Sequence, residues 1–324
     1  MVMATGIVSI ACQLLGRPAL ARALLAVNII FYVALWVATL VRFARYRDRL
    51  LADFTHHGRA VGFFTTVAAT CVLGSQLLLV TDAREAAAAF WIAGIVLWIV
   101  LTYTVFSALT VAAVKPSLAD GINGGWLLPV VASQSVSVLG CQLAGGYGER
   151  APAVLLFCLA MWLGGGMLYI WIISLIFYRY TFFVMNPADL APPYWINMGA
   201  VAISTLAGAL LALVAPLSPL LRELMPFIKG FTLLFWATAT WWIPMLVILG
   251  AWRHLFRRFP LRYDPLYWGV VFPLGMYTVC TVRLAAIIDE PALLIVPRVF
   301  LYVALIAWAL AFVGLLASLV RKPG

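Results

Sequence analysis

The chain has 324 residues, 65% of them hydrophobic and 10% charged, with a mean hydropathy of +1.07. A soluble globular domain carries about 25% charged residues, so the composition excludes a water-soluble fold and points to an integral membrane protein. The formal charge of +10 reads as membrane topology, and no nucleic-acid partner is expected.

Ten apolar runs follow one another, near 1–16, 20–42, 61–81, 86–113, 125–144, 152–178, 195–215, 226–251, 267–288 and 293–319. Most lie near the roughly 20 residues that cross hydrocarbon. The expectation is an all-α membrane protein of ten transmembrane helices, one unit over 1–324. The first run is short, and Met1 opens directly into apolar sequence, which suggests a missing leader to the first helix. Ser9-Ile10-Ala11-Cys12 is faintly like a lipoprotein cleavage site, but no basic segment precedes it, so a signal peptide is rejected.

The links alternate in charge. Arg42, Arg45, Arg47, Arg49, Arg59, Lys115, Arg179, Arg253, Arg257, Arg258, Arg262, Arg321 and Lys322 fall on one side. Arg17, Arg22, Arg84, Arg150, Arg222, Lys229, Arg283 and Arg298 fall on the other. The positive-inside rule places the richer side, and both termini, in the cytoplasm of a multi-pass protein. Links on the opposite side are short, so helical hairpins are the expected unit.

An internal repeat runs through the odd-numbered runs. Gln13-Leu14, Gln76-Leu77 and Gln142-Leu143 recur just after small residues, and Ala209-Leu210 and Arg283-Leu284 continue the series. The steps are 63, 66, 67 and 74 residues, one hairpin each, so five hairpins are expected in a quasi-fivefold arrangement around a central pore. The odd runs carry glycines, serines, threonines and glutamines that let helices approach closely. The even runs are bulky and aromatic and suit lipid or a neighbouring subunit. Stepping back 4, 7, 8 and 11 residues from the repeat position stays on one helical face. Among those 20 positions Phe272 is the one aromatic, and none is ionisable. Candidate pore-lining or anion-contacting residues are Thr5, Ser9, Gln13, Thr65, Gln76, Ser135, Gln142, Thr205, Gly275 and Arg283.

The ninth run, Tyr267 to Arg283, combines Phe272, a helix-bending Pro273 and a terminal arginine. Two roles are open to Phe272, a gate or ordinary packing. The glutamines are open to interhelical hydrogen bonding or substrate contact. Arg283 is open to anion attraction or to snorkelling outward beside Asp289 or Glu290. All 11 carboxylates and the three histidines fall in links or rims, and the five cysteines (Cys12, Cys71, Cys141, Cys158, Cys280) lack paired spacing. No metal site, cofactor or catalytic residue is therefore expected. The lack of an intramembrane Asp, Glu or His favours passive or weakly coupled conduction.

The opening Met1-Val2-Met3-Ala4-Thr5-Gly6-Ile7-Val8-Ser9 resembles the first helix of the tellurite-resistance/C4-dicarboxylate transporter family, which includes the plant slow anion channels. The aromatic lead into Phe272-Pro273 resembles that family's ninth helix. The resemblance covers essentially the whole chain. It implies a homotrimer in the cell's inner (plasma) membrane, each subunit holding its own pore, blocked by the phenylalanine that matches Phe272. The cargo it implies is C4-dicarboxylates such as malate, with tellurite, sulfite or small inorganic anions as alternatives. A membrane enzyme or a poreless assembly protein is the competing class.

Overall fold

The structure is a computed structural model that describes residues 1–320; Arg321 and Lys322, counted above among the cytoplasmic cations, lie outside the described residues. No strand occurs among the described residues. The principal helices are α1 (Val2–Leu14), α2 (Pro18–Arg45), α3 (Phe64–Thr81), α4 (Arg84–Val111), α5 (Leu128–Leu143), α6 (Ala151–Phe182), α7 (Ile196–Leu213), α8 (Met225–Ala251), α9 (Trp268–Ile288) and α10 (Ile295–Val320).

Eight helical stretches among the described residues are long and apolar enough to cross a membrane. Two features separate this from the expected ten. The 13 residues of α1 are short for a span, and Gly124–Phe182 forms one 59-residue apolar stretch. That stretch is too long for a single crossing of about 30 Å at roughly 1.5 Å per residue. It is broken between α5 and α6, where Gly148 adopts φ 53°.

Burial separates two classes of helix. In the most apolar part of the α7 stretch 94% of residues are buried, against 17% for α2 and for α10. The reason is side-chain size. Gly199 of α7 is so close to α9 that an added methyl would sit 2.7 Å from the ring of Pro273. On α5, a methyl at Gly140 would meet Trp91 at 2.8 Å. Packing of the small-residue helices runs from α1 to α3, α5, α7 and α9, and α9 returns to α1. Each also packs on the even-numbered helix that follows it.

The even helices do more than face lipid. Each sends a polar side chain to the next odd helix. Trp91 of α4 donates its indole N–H to the carbonyl of Val136 at 2.9 Å, and Trp162 of α6 to that of Ser204 at 2.9 Å. Trp236 of α8 donates to Thr281 Oγ1 at 3.0 Å, and Trp308 of α10 to Thr5 Oγ1 at 3.0 Å. From α2, Asn28 donates to Gln76 Oε1 at 2.7 Å. An indole suits this task, with one donor on a large apolar body.

The repeat also reaches into the links. Asp82, Gly148 and Asp289 each lie six residues beyond a repeat position, and each has positive φ, at 55°, 53° and 56°. Asp82 and Asp289 close α3 and α9 in the left-handed conformation, which aspartate tolerates better than most side chains.

Candidate functional site

Two cavities follow one another along the odd helices. The wide one, about 460 Å³, lies at the Met1 end, where it meets Ala4, Thr65, Leu128, Ile196, Gly269 and Phe272. The narrow one, about 20 Å³, is lined only from the later turns of the same five helices. Its volume admits about one water molecule.

Helix α9 joins them. Phe272 lines the wide cavity, and Met276, one turn later, lines the narrow one with Val279 and Arg283. At about 1.5 Å per residue the step from Phe272 to Met276 is roughly 6 Å. Phe272 is only 1% exposed although it borders the wide cavity. Helix α9 continues through Pro273. Proline has no N–H to offer the carbonyl of Gly269, four residues back, and Gly269 is itself part of the wide cavity's wall.

The face turned to the narrow cavity matches the expected one on two helices and differs on the others. On α5 the lining residues are Ser135, Val138 and Gln142, and on α9 Met276, Val279 and Arg283. These lie at 7, 4 and 0 residues before the repeat position, as read from the sequence. On α1 the lining residues are instead Ile7, Ile10 and Leu14, and on α7 Ile203 and Leu206. That is a rotation by one residue, about 100°. On α3 Val72 keeps the expected face, but Ser75 and Leu79 join it.

Hydrogen bonding explains the rotation of α1. Ser9 donates to the carbonyl of Ala21 on α2 at 2.7 Å, and Thr5 accepts from Trp308. Both are fully buried and turned toward outer helices. Gln76 is likewise taken by Asn28. Thr205 donates to its own helix at Val201. Gly275 lies against Ile7 and Val8 of α1, as a small residue permitting close approach, and Gln13 lines neither cavity. The structure therefore brings Ser135, Gln142 and Arg283 to the narrow cavity and Thr65 and Phe272 to the wide one. Thr5, Ser9, Gln76, Thr205 and Gly275 it assigns to contacts between helices or to the helix's own backbone, and Gln13 Oε1 is buried without a hydrogen-bond partner.

The polar groups of the narrow cavity are not all engaged. Gln142 Oε1 has no partner. Ion pairs among the described residues are Arg42–Asp53, Arg59–Asp53 and Arg179–Asp189, so neither Asp289 nor Glu290 pairs with Arg283. A half-buried guanidinium without a carboxylate favours an anion nearby. Among the described residues no three His, Cys, Asp or Glu side chains gather in a metal-holding group.

The wide cavity contains one charged cluster that sequence reasoning assigned only to topology. Arg179 of α6 lines it with Asp120 and Asp189. The available signal was an arginine in the last turn of an otherwise uncharged 32-residue helix.

The profile of the SLAC1 family, described as voltage-dependent anion channel, matches residues 1–316. The chain belongs to this family of membrane anion channels and transporters. Two relatives in Methanocaldococcus jannaschii are named as uncharacterized transporters; one is 26% identical over 77% of this chain and 70% of its own length. A sulfite efflux pump of Trichophyton rubrum is 24% identical over 96% of this chain and 86% of its own. An uncharacterized membrane protein of Mycobacterium tuberculosis is 40% identical over 48% of this chain and 79% of its own.

Proposed function

We propose that this protein is a channel or uniporter-like carrier for small organic dianions, C4-dicarboxylates such as malate. The chain acts as one transport domain of ten crossings, arranged as five hairpins with quasi-fivefold symmetry about a pore. Its setting is the inner (plasma) membrane, as a homotrimer, with both termini in the cytoplasm. The anion enters the wide cavity past Thr65, passes Phe272 and leaves beside Ser135, Gln142 and Arg283. Phe272 is the gate, and a bend at Pro273 lets its ring move.

One observation carries this reading. The wide cavity, the Phe272 ring and the narrow cavity succeed one another along the same five helices. A dianion cannot enter an apolar constriction without partners to replace its water, so a packed aromatic at that step closes the path. Beyond it the unpaired Arg283 is a suitable partner.

A second cargo, sulfite, is supported by the relative named as a sulfite efflux pump. Both readings are tested by anion uptake into liposomes containing only this protein, with malate, sulfite, tellurite and chloride, with and without a pH gradient. Malate flux insensitive to the gradient is the expected result. Sulfite flux above malate flux selects the second cargo, and no flux with any anion contradicts both.

A further inference from the structure

The geometry points to Arg179 as an anion docking site inside the wide cavity, with Asp189 as the nearby carboxylate whose charge opposes an arriving anion. This rests on the anion-conducting reading above and names a residue that reading does not use.

Arg179 belongs to an even helix, yet its side chain is 9% exposed. Its Nε donates to the carbonyl of Ala119 at 2.7 Å, and one terminal nitrogen donates to the Tyr194 hydroxyl. A guanidinium has five N–H donors in a fixed fork. Two are thus used. The other terminal nitrogen faces Asp189 Oδ1 at 4.0 Å, well beyond the roughly 2.7–2.9 Å of a charge-assisted hydrogen bond. A nearly buried cation with unused donors is costly to leave so, and the open side of this one is the 460 Å³ cavity.

The surroundings say why Asp189 does not close the gap. Its other oxygen, Oδ2, accepts the backbone N–H of Asn186 at 2.9 Å, which anchors the carboxylate in its own turn. Meanwhile Ala119 O and the Tyr194 hydroxyl hold Nε and one terminal nitrogen of the fork. The guanidinium is therefore presented at a set position with one edge free. A carboxylate or a sulfite oxyanion offers the paired oxygens that this edge takes. Asp120 also lines the cavity, but it accepts from Ser117 Oγ at 2.6 Å and forms no ion pair with Arg179.

The test is equilibrium binding of succinate and of sulfite to the purified full chain in nanodiscs, by calorimetry, with thermal unfolding as the control for folding. Arg179→Gln, which keeps a donor for Ala119, is expected to weaken binding at least tenfold. Arg179→Lys, with charge but no fork, should fall between. Asp189→Asn should tighten binding severalfold, whereas Asp120→Asn should leave it nearly unchanged. Folded Arg179→Gln protein with wild-type affinity overturns the docking site. So does weaker or unchanged binding in Asp189→Asn, which decides the matter if Arg179→Gln does not fold. Equal tightening by both aspartate variants would also overturn it, as a general field effect. Anion flux through Phe272→Ala liposomes is read separately. Flux without the binding pattern removes the docking site alone, and the pattern without flux removes the conduction reading alone.

Discussion

Arg283 is where a single side chain separates a path from a packed bundle. It stands at the repeat position that holds glutamine in three of the other four repeats, it borders the narrow cavity and it has no acidic partner. Arg283→Gln keeps much of the side chain's length and removes the charge. We predict a shift of the reversal potential toward lower anion selectivity, with oligomeric state and unfolding temperature unchanged. An unchanged reversal potential would make Arg283 a surface-seeking cation. Phe272 and Arg283 were legible in the sequence because each breaks a pattern, one as the lone aromatic and the other as the lone charge of its face. Thr5 and Ser9 were not, because their partners are remote: the indole that holds Thr5 lies 303 residues away. Arg179 went unread for a similar reason, since a cation at a helix end has a topological explanation that requires no site.

Among the elements, the tryptophans of the even helices carry the clearest test. Trp162 is fully buried and donates to the carbonyl of Ser204. Trp162→Phe leaves that carbonyl without the indole donor. Such a loss costs about 1–3 kcal/mol in general and nearer 0.6–2 kcal/mol between helices in a membrane. A lowered unfolding midpoint with anion flux preserved is the expected result. An unchanged midpoint would contradict a tethering role. Gly140→Leu should be more severe, because the added side chain enters space held by Cys158 and Trp91, whose atoms lie 2.5 and 2.8 Å from the first added carbon. Loss of the folded, detergent-soluble protein checks this. The division into small-residue and bulky helices was readable from composition. The inward role of the tryptophans was not, since hydropathy treats a buried indole and a lipid-facing one alike.

At the scale of the whole molecule a repeated pairing of an odd helix with the even helix that follows it organises the chain. It was visible as a step of 63 to 74 residues in sequence, and it recurs in the left-handed residues Asp82, Gly148 and Asp289 and in the hydrogen bonds from each even helix to the next odd one. What the repeat could not supply is the rotation of each helix. A one-residue turn of α1 exchanges Gly6, Ser9 and Gln13 for Ile7, Ile10 and Leu14, and so makes the narrow cavity more apolar than the sequence face implied. With few polar groups to replace water, the narrow cavity is itself unfavourable for an ion. On the proposed reading Phe272 is the main barrier to conduction, and the narrow cavity of about 20 Å³ beyond it has to widen for an anion to pass.

The most direct measurement is anion current through liposomes or planar bilayers carrying Phe272→Ala, compared with wild type at equal amounts of folded protein. Relief of even about 1.4 kcal/mol of barrier gives a tenfold change in rate, so the account predicts a conductance at least about tenfold higher in the variant. A packing residue of this kind would instead cost roughly 3–5 kcal/mol of stability on truncation and leave no new path. Folded Phe272→Ala protein with a conductance equal to or below that of the wild type would contradict the claim that this ring closes the pore.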